Sequence, residues 1–316
     1  MHIPDGFLDA KTALATAGLA AGGLGVALRQ VRRQLPRRKI PLLGLAAAFV
    51  FAAQMLNFPV AGGTSGHLVG GVLTAVLLGP SAAVVVLTSV LIVQCFLFAD
   101  GGVTALGANI FNMGLIGGVA GYAIYCVVCK MFRGTRGVVM AAAFAAWCST
   151  VLAAIACAGE LALSGTVAWS VAFPAMANVH MLIGAGEALI TALVIVAIAN
   201  ARPELLKRQP GENTDSGYGT VLVFGLLISL GLALVVAPFA CSWPDGLDKV
   251  AKTLGFEHRA FGQPLLHPPI PEYHLPGFSS AALATSLAGV IGTVIVFTLA
   301  FLLARVLVPK PAADAN

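Results

Sequence analysis

Long apolar runs, separated by short polar stretches, set the pattern of this chain. A bilayer core about 30 Å thick takes roughly 20 apolar residues per helix. Runs near 10–28, 41–59, 66–79, 81–98, 106–129, 138–159, 180–200, 219–240 and 282–308 meet or approach that length. The expected fold is all-α: a polytopic helical membrane protein with about seven helices in residues 1–200 and two more in residues 219–316. The run 66–79 is short and stops at Gly79-Pro80, so it reads as a re-entrant or partly buried helix. Residues 201–218, "ARPELLKRQPGENTDSGY", form a polar linker between the two units. Within the C-terminal unit, 241–279 is polar. Asp245 is placed to cap a short helix with Leu247, Val250 and Leu254 on one face. Five prolines from Pro264 to Pro276 then impose extended structure.

Composition agrees with a membrane-embedded chain. Of 316 residues, 59% are hydrophobic and 10% charged, against about 25% charged in soluble domains. Fourteen Lys and Arg fall in the segments following the first, fifth and seventh runs and in the tail, and only Lys11, Lys249, Lys252 and Arg259 fall on the other side. The positive-inside rule therefore puts the N-terminus outside and the C-terminus in the cytoplasm of a bacterial inner membrane. The basic residues follow the first apolar run rather than precede it, the reverse of a cleaved signal peptide, so the N-terminus is expected to remain on the protein. The net charge of +5 forms no basic stripe interleaved with aromatics, which excludes nucleic acid and leaves membrane lipid as the surrounding partner. Five of the six cysteines lie in apolar runs, so no disulfide framework is expected. Cys126 and Cys129 form a lone CxxC that reads as helix filler. Gly18 with Gly22, Gly114 with Gly118 and Gly117 with Gly121 have the spacing of close helix packing. Neither GxxxxGK[ST] nor HExxH occurs, so the chain reads as a non-enzyme without an ATPase cradle of its own.

The polar residues on the outer side carry the candidate chemistry. The chain opens "MHIPDGFL". A retained Met1 amine, the His2 amide and the His2 Nδ1 close a five- and a six-membered chelate ring and leave one equatorial position open. His67, in "GGTSGH" beside Gly62, Gly63 and Gly66, stands at the same outer face and can fill it. Four nitrogens in a plane suit Ni(II) or Cu(II). A solvated terminal histidine and a hydrogen-bonded loop histidine account for the same spacing. Asp5, Thr64 and Ser65 are candidates for hydrogen bonds beside the site. At membrane depth, Asn109 and Asn112 share a helix face, as do His180 and Glu187; buried polar groups there mark either a path or helix–helix hydrogen bonding. Glu187 reads as the only acidic residue well inside a run. His258, His267 and His274 lie in 241–279, where nothing in their spacing says whether they deliver metal inward.

"MHIPDGFL", "GGTSGHLVGG", "GGVTALGANIFNMG" and "HMLIGAGEALIT" together resemble the substrate-binding membrane (S) component of nickel/cobalt energy-coupling-factor (ECF) transporters, over residues 1–200. "WPDGLDKVAKTLGFEHRAF" resembles the small companion subunit of the same systems, the PDGLE-type domain, with Asp248 where that motif has Glu. The resemblance implies a seven-helix binding protein that holds its metal in a plane through the amine of Met1, the backbone and side chain of His2, and His67. It implies a transmembrane coupling (T) subunit and cytoplasmic ATPase subunits as partners. Ni(II) is favoured as transported substrate by the planar nitrogen field, with Co(II) the alternative. An ion-gradient-driven secondary transporter and a metal-binding sensor or docking protein are the competing classes.

Overall fold

The computed structural model describes residues 2–206, 218–262 and 265–309. Met1 and most of the 201–218 linker lie outside the described residues. Nine helices follow the apolar runs: α1 (Ala10–Gln34), α2 (Ile40–Gln54), α3 (Gly71–Leu78), α4 (Pro80–Phe98), α5 (Leu106–Cys129), α6 (Gly134–Leu163), α7 (Trp169–Ala201), α8 (Gly219–Phe239) and, after the short α9 (Gly246–Leu254), α10 (Ala281–Leu307). Seven of them are long and apolar enough to cross a membrane by themselves. A two-stranded hairpin, β1 (Phe58–Val60) and β2 (Thr64–Gly66), stands between α2 and α3.

Helices α2 and α3 are the shorter ones. The eight residues of α3 rise about 12 Å. The non-helical segment 67–70 ahead of it ends at Gly70, whose φ of +77 turns the chain into the helix. Gly79, at φ +94, and Pro80, first residue of α4, end α3. The Ser81 hydroxyl then reaches Gln30, far along α1 from His2. The short run 66–79 thus enters as non-helical chain and leaves as helix.

Three boundaries differ from the apolar runs. Helix α1 continues through Arg29, Arg32 and Arg33, because Arg and Gln are good helix formers once a helix is running. Helix α7 begins at Trp169 rather than near 180, with Pro174 inside it; membrane helices tolerate proline where neighbours re-satisfy the backbone. Helix α6 runs to Leu163, which places Glu160 within it, buried. Glu187 is therefore not the only acidic residue inside a helix at membrane depth.

The two largest apolar clusters hold most of the bundle. One joins α2 and α4 to α10 through Phe51, Phe98 and Val296. The other collects Ile3 and Phe7 with Cys157, Met176 and Leu247, so the first residues of the chain belong to the core. Backbones approach closely where a Cβ is missing: one built on Gly71 would lie 2.6 Å from the Gly117 carbonyl carbon. A Cβ built on Gly18 or Gly22 would meet nothing within 4 Å, so that spacing is not used for packing among the described residues. The six cysteines are free.

Candidate metal centre

His67 is positioned by the hairpin. Strands β1 and β2 are antiparallel, with Pro59 opposite Ser65, and Gly62 and Gly63 make the turn at φ +88 and +70, a region costly for residues with a Cβ. The next residue after β2 is His67, which is 6% exposed. Its Nδ1 lies 3.1 Å from the Leu68 carbonyl oxygen. The segment beyond it is fixed from two sides. The Val69 and Gly70 amides donate to the two oxygens of Glu187, at 2.6 and 3.0 Å. Gln54 Nε2 donates to the Val69 carbonyl at 3.0 Å. These are backbone groups that a non-helical entry into α3 would leave without partners.

The chain around His2 is held by the loop between α4 and α5 and by the first turn of α5. Asn109 accepts from the Ile3 amide at 2.8 Å and donates to the Ile3 carbonyl at 3.2 Å. The Gly102 amide donates to the same carbonyl at 2.9 Å. Asp5 accepts from the Thr104 amide at 2.8 Å and from its hydroxyl at 2.5 Å. The result brings two histidines far apart in the chain face to face: the rings of His2 and His67 stack with centroids 5.1 Å apart and planes 18° apart. Burial pushes both imidazoles below their usual pKa, His67 to about 3 with the neighbouring His2 adding to the effect, while Asp100 opposes the shift at His2. Both rings are thus neutral at neutral pH, the form that ligates metal.

Several candidates sit elsewhere than expected. Among the described residues, the bonds of Asp5, Thr64 and Ser65 do not go to the histidines: Asp5 holds Thr104, Thr64 Oγ1 donates to the Pro244 carbonyl at 3.1 Å, and Ser65 Oγ donates to the Trp243 carbonyl at 2.7 Å. The carboxylate beside His2 is Asp100, whose Oδ1 is 3.1 Å from Nδ1. Asn112 does not share the role of Asn109; its Nδ2 donates to Glu160 at 2.7 Å. His180 is buried, with Nδ1 2.9 Å from the Met176 carbonyl oxygen. Among the described residues its Nε2 has no hydrogen-bond partner, and it faces Gly246. His258, His267 and His274 are exposed.

The C-terminal unit covers this end of the molecule. Asp245 caps α9 by accepting from the Asp248 amide at 2.8 Å, and Leu247 and Val250 are buried beneath it. The Ser65 amide donates to the Pro244 carbonyl at 2.8 Å, and the Phe261 amide to the Asp5 carbonyl at 2.9 Å. A Cβ on Gly246 would lie 2.7 Å from His180 Cε1, so glycine lets this segment close onto α7.

Residues 2–205 match a family model described as the cobalt uptake substrate-specific transmembrane region, and residues 219–309 match the PDGLE domain. A protein of Archaeoglobus fulgidus with the provisional name fused nickel transport protein NikMN is 38% identical over 308 residues, 96% of this chain and 98% of its own. The fused nickel transport protein NikMN of Rhodobacter capsulatus is 37% identical over 254 residues, 73% of this chain and 72% of its own. The cobalt transport protein CbiM of Geobacter sulfurreducens is 31% identical over 279 residues, 82% of this chain and 78% of its own. The crystal structure of a truncated transition metal transporter superposes with a TM-score of 0.58 at 34% identity, over 63% of this chain and 99% of that one.

Proposed function

Because the chain belongs to the cobalt uptake substrate-specific transmembrane family, with a PDGLE domain fused behind it, we propose that it captures nickel for an ATP-driven uptake system of the ECF type. It is a multi-pass membrane protein whose relatives are named for nickel or cobalt transport. In this reading the metal is taken up outside the cytoplasmic membrane. It is held in a plane by the Met1 amine, the His2 amide and imidazole, and His67. The T subunit and ATPase subunits supply the energy from the cytoplasmic side. Residues 1–200 act as the S component and 219–316 as its companion.

The observation that carries this reading is the stacked pair of His2 and His67, with His67 buried and the His2 side chain 6% exposed. Neutral imidazoles offer the lone pairs that protonated rings lack, and planar nitrogen donors favour Ni(II) over zinc geometries. The test is spectroscopic. Purified protein is expected to bind about one Ni(II) with the pale, diamagnetic spectrum of a planar site, and His67→Ala to lose it. A paramagnetic octahedral spectrum, or normal binding by His67→Ala, overturns the ligand set. Uptake by vesicles with and without the ATPase partners separates ATP-driven transport from transport driven by an ion gradient.

A further inference from the structure

We propose that the crevice between the two units is a binding site for one anionic phospholipid, with an acyl chain inside and the phosphate between Lys39 and Arg202. The site lies at the end of the bundle opposite the stacked histidines. Lys39 stands just ahead of α2, whose far end carries Gln54, bonded to the Val69 carbonyl two residues past His67. A cavity of about 610 Å³ lies there, inside the range of roughly 300–1,000 Å³ usual for small-molecule sites. Its walls come from four helices: Phe49 of α2, Leu73 of α3, Val194 of α7 and Phe224 of α8. The first three belong to residues 2–205 and the fourth to the PDGLE domain.

The interior suits an alkyl chain. Along α2 the lining runs from Lys39 to Val50, about 16 Å at 1.5 Å per residue, which is about half of a bilayer core. Within that reach the hydroxyl of Thr74 is spent on the Gly70 carbonyl at 2.8 Å. Water finds few partners on such walls, whereas lipid tails are as apolar as leucine. Gly225 lets α8 rest on α2, where a Cβ would lie 2.6 Å from Leu45 Cδ2. The two units therefore meet at the edge of the cavity, and a lipid within it touches both.

The mouth selects an anionic head. Lys39 and Arg202 both line the cavity, and Arg37 and Arg38 precede Lys39 in the chain. Arg202 Nε is bound to the Glu204 carboxylate. Its Nη2 is buried and, among the described residues, has no hydrogen-bond partner. A buried donor without an acceptor is costly. A phosphate oxygen supplies that acceptor, and the arginine fork matches phosphate geometry. Basic pockets between membrane helices recognise anionic headgroups in this way.

The test uses the full chain, purified in mild detergent and offered phosphatidylglycerol or phosphatidylcholine, with retained lipid counted by native mass spectrometry. One phosphatidylglycerol per chain is expected to be retained in preference to phosphatidylcholine. Lys39→Ala and Arg202→Ala are each expected to weaken that retention about fivefold, and both together about thirtyfold, the usual contribution of cations near a headgroup. Lys39→Arg should keep it. Ala197→Trp, which fills the cavity and leaves both cations, should exclude either lipid. A diazirine on the acyl chain of phosphatidylglycerol should label α2, α7 and α8. Circular dichroism of each variant checks folding. Equal retention of the two lipids, or full retention by the folded double variant, would overturn the proposal. So would displacement by inorganic phosphate with the acyl label elsewhere, or cross-links that place a protein segment in the cavity.

Discussion

Glu187 accepts a hydrogen bond of 2.6 Å from the main-chain amide of Val69, two residues past His67, although α7 and this segment are distant in the chain. With Gly70 on its other oxygen, the carboxylate ties α7 to the approach of α3. Glu187→Gln keeps the shape but presents an amide NH2 to one of the two donors. A buried donor left without an acceptor costs about 1–3 kcal/mol. The expected result is a fall in Ni(II) affinity of about tenfold, measured by competition with a chelator. Unchanged affinity would mean that this clamp serves the helix alone.

Asn109 makes a two-point contact with Ile3, accepting from its amide and donating to its carbonyl. Asn109→Ala removes both bonds inside a buried region. The Ile3 amide then has no acceptor, while the carbonyl retains Gly102. The variant is expected to lose about 1–3 kcal/mol from docking of the terminal segment, seen as faster hydrogen exchange at residues 2–8 and weaker metal binding. Asn109→Asp, which can accept but not donate, should fall between the two.

Much of this arrangement was legible in the sequence, and the line between what was and was not is physical. Apolar runs locate helices because lipid leaves backbone groups no partner outside the helix. Asp245 was readable as a cap because its acceptor role is local to Asp248. His2, His67, Gly62 and Gly63 were readable because few residue types have their chemistry or their φ. Asp100, Gln54 and Tyr273 went unseen because their roles depend on partners across the fold; the Tyr273 hydroxyl donates to Asp100, 173 positions away. Glu160 was hidden by its place at the end of an apolar run, where a charge reads as the helix boundary.

Gly246 sets how closely the C-terminal unit sits on α7. A Cβ there would meet His180 Cε1 at 2.7 Å and Ile183 Cδ1 at 2.7 Å. Both belong to buried side chains, so relief must come from lifting the segment 243–246. That segment accepts the Ser65 amide and hydroxyl bonds one strand from His67. Gly246→Val is expected to lower uptake several-fold and to open 241–279 to protease, with the seven-helix unit still inserted. Wild-type uptake and protease resistance together would show that the close approach has no consequence for transport.

The last prediction concerns the register of the terminus. Ile3 is clamped by Asn109 and Gly102, and Asp5 by Thr104, so the chain from residue 3 onward cannot slide. Inserting one Leu between Met1 and His2 therefore leaves the histidine beside Asp100 and His67 and moves only the amine, one residue further out. If the amine is a ligand, the five-membered ring it forms with the His2 amide is broken. An additional backbone amide then lies between the two, and the planar set must be rebuilt from different atoms. Inserting Ala instead invites removal of Met, because the second residue is now small; the mature chain would begin Ala-His and recover the original register. Uptake is expected to be lost in the Leu variant and largely kept in the Ala variant, with mass spectrometry of each N-terminus as the control. Equal uptake by a verified Met-Leu-His protein would remove the amine from the ligand set and leave His2 and His67 to hold the metal with groups not yet identified.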